Sequence, residues 1–124
     1  MYSLEIEAEF SAAHAIVLRG VRETVHGHNW RVQCEVEGPA LDPEGLLCDF
    51  HAIEAALARV ISPFRNADLN ATAAFESTNP TAEHVAKHIA EELLPKLPRG
   101  IRLASVRVTE APRCVAIYRP TNHR

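Results

Sequence analysis

The segment "HGHNWRVQCEVE", residues 26–37, joins a pair of histidines to a strand pattern and decides how the chain folds. From residue 30 onward, apolar side chains alternate with polar ones, which is the period of a strand with one buried face and one solvated face. His26 and His28 share this spacing of two, so on an extended backbone their imidazoles project from the same side. The segment therefore predicts a strand over 30–37 with two imidazoles on an extended backbone just before it.

The same alternation predicts strands on both sides of this segment. Residues 2–10 alternate apolar side chains with serine and glutamate, and residues 101–109 alternate again. A last strand over 113–118 follows a break at Ala111–Pro112. A stretch rich in turn residues precedes the short apolar run 46–48, which predicts a further piece of strand.

Two helices are predicted between these strands. Asp49 can cap the first, in which apolar residues fall at helical spacing over 50–61, and Pro63 ends it. The second begins at Asn79–Pro80, because a capping side chain precedes a residue whose missing N–H costs nothing at the first helical position. Pro95 closes it.

The predicted order of elements is β-β-α-α-β-β. Strand pairs without a helical crossover are antiparallel, so the sequence predicts an α+β fold: a four-stranded antiparallel sheet with both helices on one face and a polar opposite face. A chain of 124 residues fits a single domain, residues 1–124. The loop from Ser62 to Thr78 is long for such a domain, and loops of this length are often functional.

Composition excludes several classes of function. A net charge of −3 and the lack of a basic run argue against a nucleic-acid partner. The alternating acids of the N-terminus do not form a signal peptide, and no apolar stretch could span a bilayer, so we expect a cytoplasmic protein without membrane contact. Cys34, Cys48 and Cys114 are odd in number, widely spaced and set in apolar surroundings, which predicts core residues rather than disulfides.

The paired histidines point to a metal site. Neutral imidazoles are the commonest metal ligands, and three of them with an open position are typical of catalytic zinc. His14, in "FSAAH" just past the first strand, could reach the start of an adjacent antiparallel strand, whereas half-exposed strand histidines are the alternative for His26 and His28. Four other histidines are predicted to lie on the surface or to cap helices: His51, His84, His88 and His123.

Four motifs in matching order give the chain a family resemblance over nearly its whole length. They are "FSAAH", "HGHNW", "NPTAE" and "VTEAPRCVAIY". Together they resemble the 6-pyruvoyl-tetrahydropterin synthase family, which includes the 6-carboxy-tetrahydropterin synthases. The resemblance implies the tunnelling fold, a zinc ion held by His14, His26 and His28, and 7,8-dihydroneopterin triphosphate or a close relative as substrate.

The resemblance also implies two residues that bind the pterin. Glu110 in "VTE" matches a glutamate that anchors the pterin in that family, and a carboxylate can accept two parallel hydrogen bonds from the ring N–H and the exocyclic amine. Without the resemblance, Glu110 is a solvated glutamate at a strand end. Thr81 in "NPTAE" matches a threonine at the pterin pocket, and as a helix-start residue it could equally be structural.

The sequence departs from the family at the catalytic base. Most members carry a cysteine four residues before the HGH motif, where this chain has Arg22. Glu23 instead lies three residues before His26, in an "ExxHGH" arrangement. This resembles a subgroup in which glutamate replaces the cysteine and the enzyme can cut the dihydroneopterin side chain to 6-hydroxymethyl-7,8-dihydropterin.

A second departure concerns the proton relay. The family uses an Asp-His pair before an "LN", and the matching positions here are Arg65 and Asn66. Asp68 in the same loop could substitute or could simply form a turn. Losing both cysteine and relay favours side-chain cleavage with Glu23 as base, because cleavage needs chiefly the loss of one hydroxyl proton. The alternatives are 6-carboxy- or 6-pyruvoyl-tetrahydropterin synthesis, and a zinc- and pterin-binding protein without turnover.

Assembly and phosphate binding are the last expectations. Relatives form trimeric barrels paired into hexamers with active sites at subunit interfaces, so the resemblance implies a homohexamer. Closing a barrel also covers exposed strand edges. The triphosphate needs cations, and four residues are candidates for that role or for ordinary surface charge: Arg19, Arg22, Arg65 and Lys87.

Overall fold

Two long strands form the frame of the molecule. The structure, a computed structural model, describes residues 1–121. Strand β1 (Tyr2–His14) pairs antiparallel with a strand over His26–Gly38, and the register runs without a shift from the pair Tyr2/Gly38 to the pair His14/His26. Both strands are longer than the predicted 2–10 and 30–37, because pairing continues through the histidines.

The remaining elements follow the predicted order with small additions. In chain order, the elements after β1 are β2 (Val17–Leu18), β3 (Val21–Arg22), β4 (His26–Gly38), α1 (Phe50–Ile61), β5 (Ala67–Asp68), α2 (Ala82–Leu93), β6 (Arg102–Ala111) and β7 (Cys114–Tyr118). Strands β2 and β3 form a separate hairpin, and the main sheet has the order β5-β1-β4-β6-β7. The α+β class is therefore confirmed, whereas the sheet has five strands rather than four.

One local prediction is wrong. Residues 46–48 are not a strand, because Asp42 closes a turn on them: its side chain accepts hydrogen bonds from the N–H groups of Glu44 and Leu46 at 2.9 and 3.0 Å. The long loop is ordered by short 3-10 turns and by β5, which runs parallel to β1. Pairing with β1 stabilises β5, which is too short to show a pattern.

The core lies between one sheet face and the helices. Phe10 and Trp30 stack across β1 and β4 with ring centroids 5.9 Å apart, and the Trp30 indole N–H donates to the carbonyl of Ala12 at 3.1 Å. Both helices turn fully buried apolar residues onto this face, among them Leu57 of α1 and Ile89 of α2. No helix within residues 1–121 has the length and apolar character needed to cross a membrane.

The three cysteines occupy different environments. Cys34 lies in the core, and burial raises the pKa of its thiol to about 12. Cys48 is half-buried, and Cys114 is exposed at the first position of the edge strand β7. All three are free thiols. The prediction of core residues is confirmed for Cys34 and wrong for Cys114, because that residue directly follows a surface turn.

We expect Trp30→Ala to lower the free energy of unfolding by about 3–5 kcal/mol, because a fully buried ring and its hydrogen bond are lost. Urea denaturation followed by circular dichroism measures this. Leu46→Ala is the control, since that side chain is exposed and should change stability by no more than about 0.5 kcal/mol. Equal effects of the two variants would contradict this account of the core.

Candidate metal centre

Three imidazoles meet where β1 and β4 reach the end of the core. The register places His14 opposite His26, and Ala12 opposite His28. All three histidines continue the row of inward-facing residues that ends at Trp30, so they share the helix-covered face of the sheet. Their ring centroids lie 4.7 to 5.4 Å apart with steeply inclined planes.

Glu110 completes the cluster from β6. Arg31 pairs with Thr109 on the open face, so Glu110, the next residue, faces the histidines. One of its carboxylate oxygens, Oε2, lies 3.2 Å from Nε2 of His28 and 3.7 Å from Nε2 of His14. One ligand atom from each of the three histidines and from Glu110 lies within 4.8 Å of the others. This group could bind a metal ion.

Backbone carbonyls set the tautomers of two histidines. Nδ1 of His14 donates to the carbonyl of Pro80 at 2.8 Å, and Nδ1 of His26 donates to the carbonyl of Thr24 at 3.1 Å. A carbonyl only accepts, so in the neutral rings Nε2 carries the free lone pair. Metal-binding histidines are commonly oriented in this way by a hydrogen bond from the second ring nitrogen.

Two ring nitrogens of the cluster are free to bind a cation. Nε2 of His14 and Nε2 of His28 are buried, and within residues 1–121 neither has a hydrogen-bond partner. An unpaired buried polar atom costs about 1–3 kcal/mol. The pKa of His28 is lowered, foremost by burial, against the opposing effect of Glu110. The neutral ring is the form that binds a metal, so the residues present fit a metal ion.

Side-chain amides from distant loops form hydrogen bonds with the backbone of the segment after His14. The side-chain amide of Asn70 exchanges two hydrogen bonds with the backbone of Ala15, at 2.8 and 2.9 Å. Asn79 does the same with Val17, at 2.8 and 3.0 Å. These two amides replace a neighbouring strand and fix the backbone that leads from His14 into the β2–β3 hairpin.

Glu23 binds the backbone of Ile16, the residue between Ala15 and Val17. Its N–H donates to the carbonyl of Ile16 at 3.0 Å, and its Oε1 accepts from the N–H of Ile16 at 3.1 Å. The same Oε1 lies 3.5 Å from Nδ1 of His26. The carboxylate is therefore anchored beside the histidine cluster with about a third of its side chain exposed.

Two cavities border the cluster. One, of about 610 Å³, is lined by Gly27, His28 and Asp68 among others. The other, of about 630 Å³, is lined by Gly27, His28, Arg31 and Glu110 among others. A side chain at Gly27 would meet nothing closer than the carbonyl oxygen of Ala12, at 3.9 Å.

Comparisons with known proteins point to one family. The sequence profile of the family described as 6-pyruvoyl tetrahydropterin synthase matches residues 3–121. The chain belongs to this family. The 6-carboxy-5,6,7,8-tetrahydropterin synthase of Bacillus subtilis is 32% identical over 130 aligned residues, which cover 96% of this chain and 87% of that protein.

Solved structures of the 6-pyruvoyl tetrahydropterin synthase family share the fold. The Caenorhabditis elegans 6-pyruvoyl tetrahydropterin synthase superposes with a TM-score of 0.86 at 22% identity, over 97% of this chain and 96% of that one. A Plasmodium vivax 6-pyruvoyltetrahydropterin synthase in which a catalytic glutamate is replaced by alanine gives 0.78 at 19% identity, over 96% and 97%. Both likenesses confirm the predicted tunnelling fold.

Two predicted site residues of this family member make local hydrogen bonds. The carboxylate of Asp68 is exposed and accepts from the N–H of Asn70 at 3.0 Å, as a turn-forming aspartate does. Thr81 is the N-cap of α2, and its hydroxyl accepts from the N–H of His84 at 3.1 Å. Helix α2 therefore begins later than the predicted Asn79–Pro80, because Asn79 binds the segment after His14 instead.

The candidate phosphate cations and two of the other histidines lie at the surface. Arg65 donates to the carbonyl of Glu9 at 3.2 Å. The structure places Arg19, Arg22 and Lys87 at exposed positions. His51 and His84 are exposed as predicted, whereas His88 is half-buried against the rings of Phe64 and Phe75. His123 lies outside the described residues.

Sequence reasoning missed the roles of Asn70 and Asn79. Asn70 served only as a landmark for the missing relay, and Asn79 was predicted to cap a helix. Both bind backbone more than 50 residues away in the chain. The resemblance placed Glu110 at the pterin pocket but did not predict its distance of 3.2 Å from His28. An asparagine in a loop is often hydrogen-bonded to backbone through its side chain. The sequence does not show which backbone segment Asn70 or Asn79 binds.

We expect Asn70→Ala to weaken metal binding and to lower the free energy of unfolding by about 1–3 kcal/mol, because both partners on Ala15 are left unpaired. Asn70→Asp keeps the acceptor and loses the donor, so it should fall between Ala and wild type. Urea denaturation and zinc titration measure the two effects. The account of this segment fails if Asn70→Ala matches wild type in both.

Proposed function

We propose that this protein is a zinc-dependent lyase that cleaves the side chain of 7,8-dihydroneopterin triphosphate to give 6-hydroxymethyl-7,8-dihydropterin, with Glu23 as base. The observation that carries the proposal is the Glu23 carboxylate, anchored 3.5 Å from a ring nitrogen of His26 in a cluster of three histidines. Family membership supplies the pterin substrate class. The catalytic glutamate of the Plasmodium vivax protein supports a glutamate base.

His14, His26 and His28 would hold the zinc ion. Three imidazole nitrogens are typical of catalytic zinc sites, and their geometry leaves room for a further ligand. When bound, zinc supplies a Lewis acid that lowers the pKa of nearby hydroxyl groups. The carbonyls of Pro80 and Thr24 hold two of the rings in the orientation that this role requires.

Glu23 would then act as the general base. Its Oε1 is fixed by the N–H of Ile16, which leaves the second oxygen to accept a proton from the substrate hydroxyl. The bond between the first and second carbons of the side chain then breaks, and its electrons flow into the conjugated pterin. The two outer carbons leave as a phosphorylated two-carbon aldehyde. The carbon that stays on the pterin regains the proton, so the reaction needs no oxidant or reductant.

Two residues would bind the pterin ring. Glu110 lines the cavity of about 630 Å³ beside His28 and can accept hydrogen bonds from the ring N–H and the exocyclic amine. The Thr81 hydroxyl accepts a backbone hydrogen bond, and its own proton remains available for a ligand. The triphosphate would meet arginine and lysine side chains at the surface, with Arg19, Arg22, Arg65 and Lys87 as candidates.

The second candidate function is 6-carboxy- or 6-pyruvoyl-tetrahydropterin synthesis. The 32% identity to a 6-carboxy-5,6,7,8-tetrahydropterin synthase favours it, and Asp68 shares a cavity with His28 from which it could relay protons. A third possibility is a zinc- and pterin-binding protein without turnover. Mass spectrometry of the pterin released from 7,8-dihydroneopterin triphosphate separates the two activities, and the absence of product over long incubation identifies the binder.

We further propose a cytoplasmic homohexamer, a dimer of trimers. Strand β7 forms one edge of the main sheet and exposes Val115 and Ile117, which pairing with a second copy would cover. Light scattering coupled to size exclusion should give six times the chain mass of 13.7 kDa. A monomeric mass would contradict this assembly.

We expect Glu23→Gln to reduce formation of 6-hydroxymethyl-7,8-dihydropterin by a factor of about 100 or more while zinc stays bound, because the base is lost. The glutamine oxygen still accepts from the N–H of Ile16, so stability should stay near that of wild type. Glu23→Ala should lose activity and also about 1 kcal/mol of stability. Product is quantified by mass spectrometry.

A matched control replaces a free thiol near Glu110. Cys114 borders a cavity of about 320 Å³ that Glu110 also lines. Cys114→Ser should retain activity if Glu23 is the base. Full activity of Glu23→Gln, or loss of activity in Cys114→Ser alone, would contradict the assignment.

A further inference from the structure

We infer that Glu110 is the fourth ligand of the metal ion in the substrate-free protein and that it leaves this position when a pterin binds. The inference rests on the proposed metal centre and adds a second role for Glu110. Its basis is the position of the carboxylate among the histidine nitrogens.

The distances are those of two ligands on one ion. A tetrahedral zinc site has metal–ligand bonds of about 2.0–2.2 Å, which puts neighbouring donor atoms about 3.3–3.6 Å apart. Oε2 of Glu110 lies 3.2 Å from Nε2 of His28 and 3.7 Å from Nε2 of His14. One carboxylate oxygen therefore stands at ligand spacing from two imidazoles on two other strands.

A direct hydrogen bond does not explain this spacing. Nε2 of His28 has no hydrogen-bond partner within residues 1–121, although Glu110 Oε2 is 3.2 Å away. His14 uses its proton on the carbonyl of Pro80, so its Nε2 turns a lone pair toward the carboxylate. Lone pairs that face one another in a buried site repel unless a cation lies between them. A metal ion shared by Nε2 of His14, Nε2 of His28 and Oε2 of Glu110 would satisfy all three atoms.

The position of Glu110 also allows the exchange. Its side chain is 27% exposed, whereas His14 is 1% exposed. Glu110 lines one cavity with His28 and a second with Ala82 and Glu83 at the start of α2. A pterin in either cavity can offer the carboxylate two N–H donors. The carboxylate then leaves the metal, which opens the fourth position at the moment the substrate arrives.

The test uses cobalt(II) as the probe in place of zinc. Visible absorption of the Co²⁺ form reports the ligand set without any turnover. We expect Glu110→Ala to change the Co²⁺ spectrum and to weaken Co²⁺ binding at least about tenfold, on the scale seen when metal-site residues are removed. Acetate added to Glu110→Ala should restore the wild-type spectrum, which separates a lost ligand from a damaged fold. Glu83→Gln, which removes a carboxylate from the neighbouring cavity, should match wild type.

A titration with 7,8-dihydropterin, which lacks the side-chain hydroxyls, tests the exchange. It should shift the wild-type Co²⁺ spectrum toward that of Glu110→Ala and leave the spectrum of Glu110→Ala nearly unchanged. Identical Co²⁺ spectra and affinities for wild type and Glu110→Ala would overturn the ligand assignment, and an unshifted wild-type spectrum at saturating pterin would overturn the exchange. Neither result depends on product formation, so the proposed cleavage activity stands or fails separately.

Discussion

The uninterrupted antiparallel register between β1 and β4 is the constraint on which the rest of the structure depends. It brings His14 opposite His26 across the sheet. Side chains on a strand alternate between faces, so a slip of one residue would move the imidazole of His14 to the open face. The stacked rings of Phe10 and Trp30 oppose that slip, because it would take one large ring out of the core.

The core and the candidate metal centre are two parts of one row of side chains. Along the helix-covered face of β4 the residues change from apolar to Trp30 and then to His28 and His26. Trp30 forms the boundary: its ring packs on Phe10 on one side and meets His14 and His28 at centroid distances of 4.9 and 5.8 Å on the other. The packing of the core and the positions of the histidine rings therefore both depend on the indole of Trp30.

Patterns with a regular period were predictable from the sequence, and long-range hydrogen bonds were not. Alternation predicted β1, β4 and β6 over most of their length, and helical spacing predicted α1 over the residues observed. The strand order supplied His14 as a candidate, and the resemblance of short motifs to a family supplied Glu23 and Glu110. The distances between these residues depend on the register of three strands. That register includes a shift in the β4–β6 pairing between Glu35 and Val36, which no local pattern reveals. The contacts of Asn70 depend in the same way on the completed fold.

The central claim is that His14, His26 and His28 bind one zinc ion. The most direct measurement is a competitive zinc titration of the metal-free protein with a chromophoric chelator, comparing wild type with His28→Ala. His84→Ala is the control, because His84 is exposed and bonds to the carbonyl of Asn79. The account predicts one tight site per chain in wild type and in His84→Ala, and binding at least about tenfold weaker in His28→Ala. Equal zinc affinity in all three proteins would contradict it.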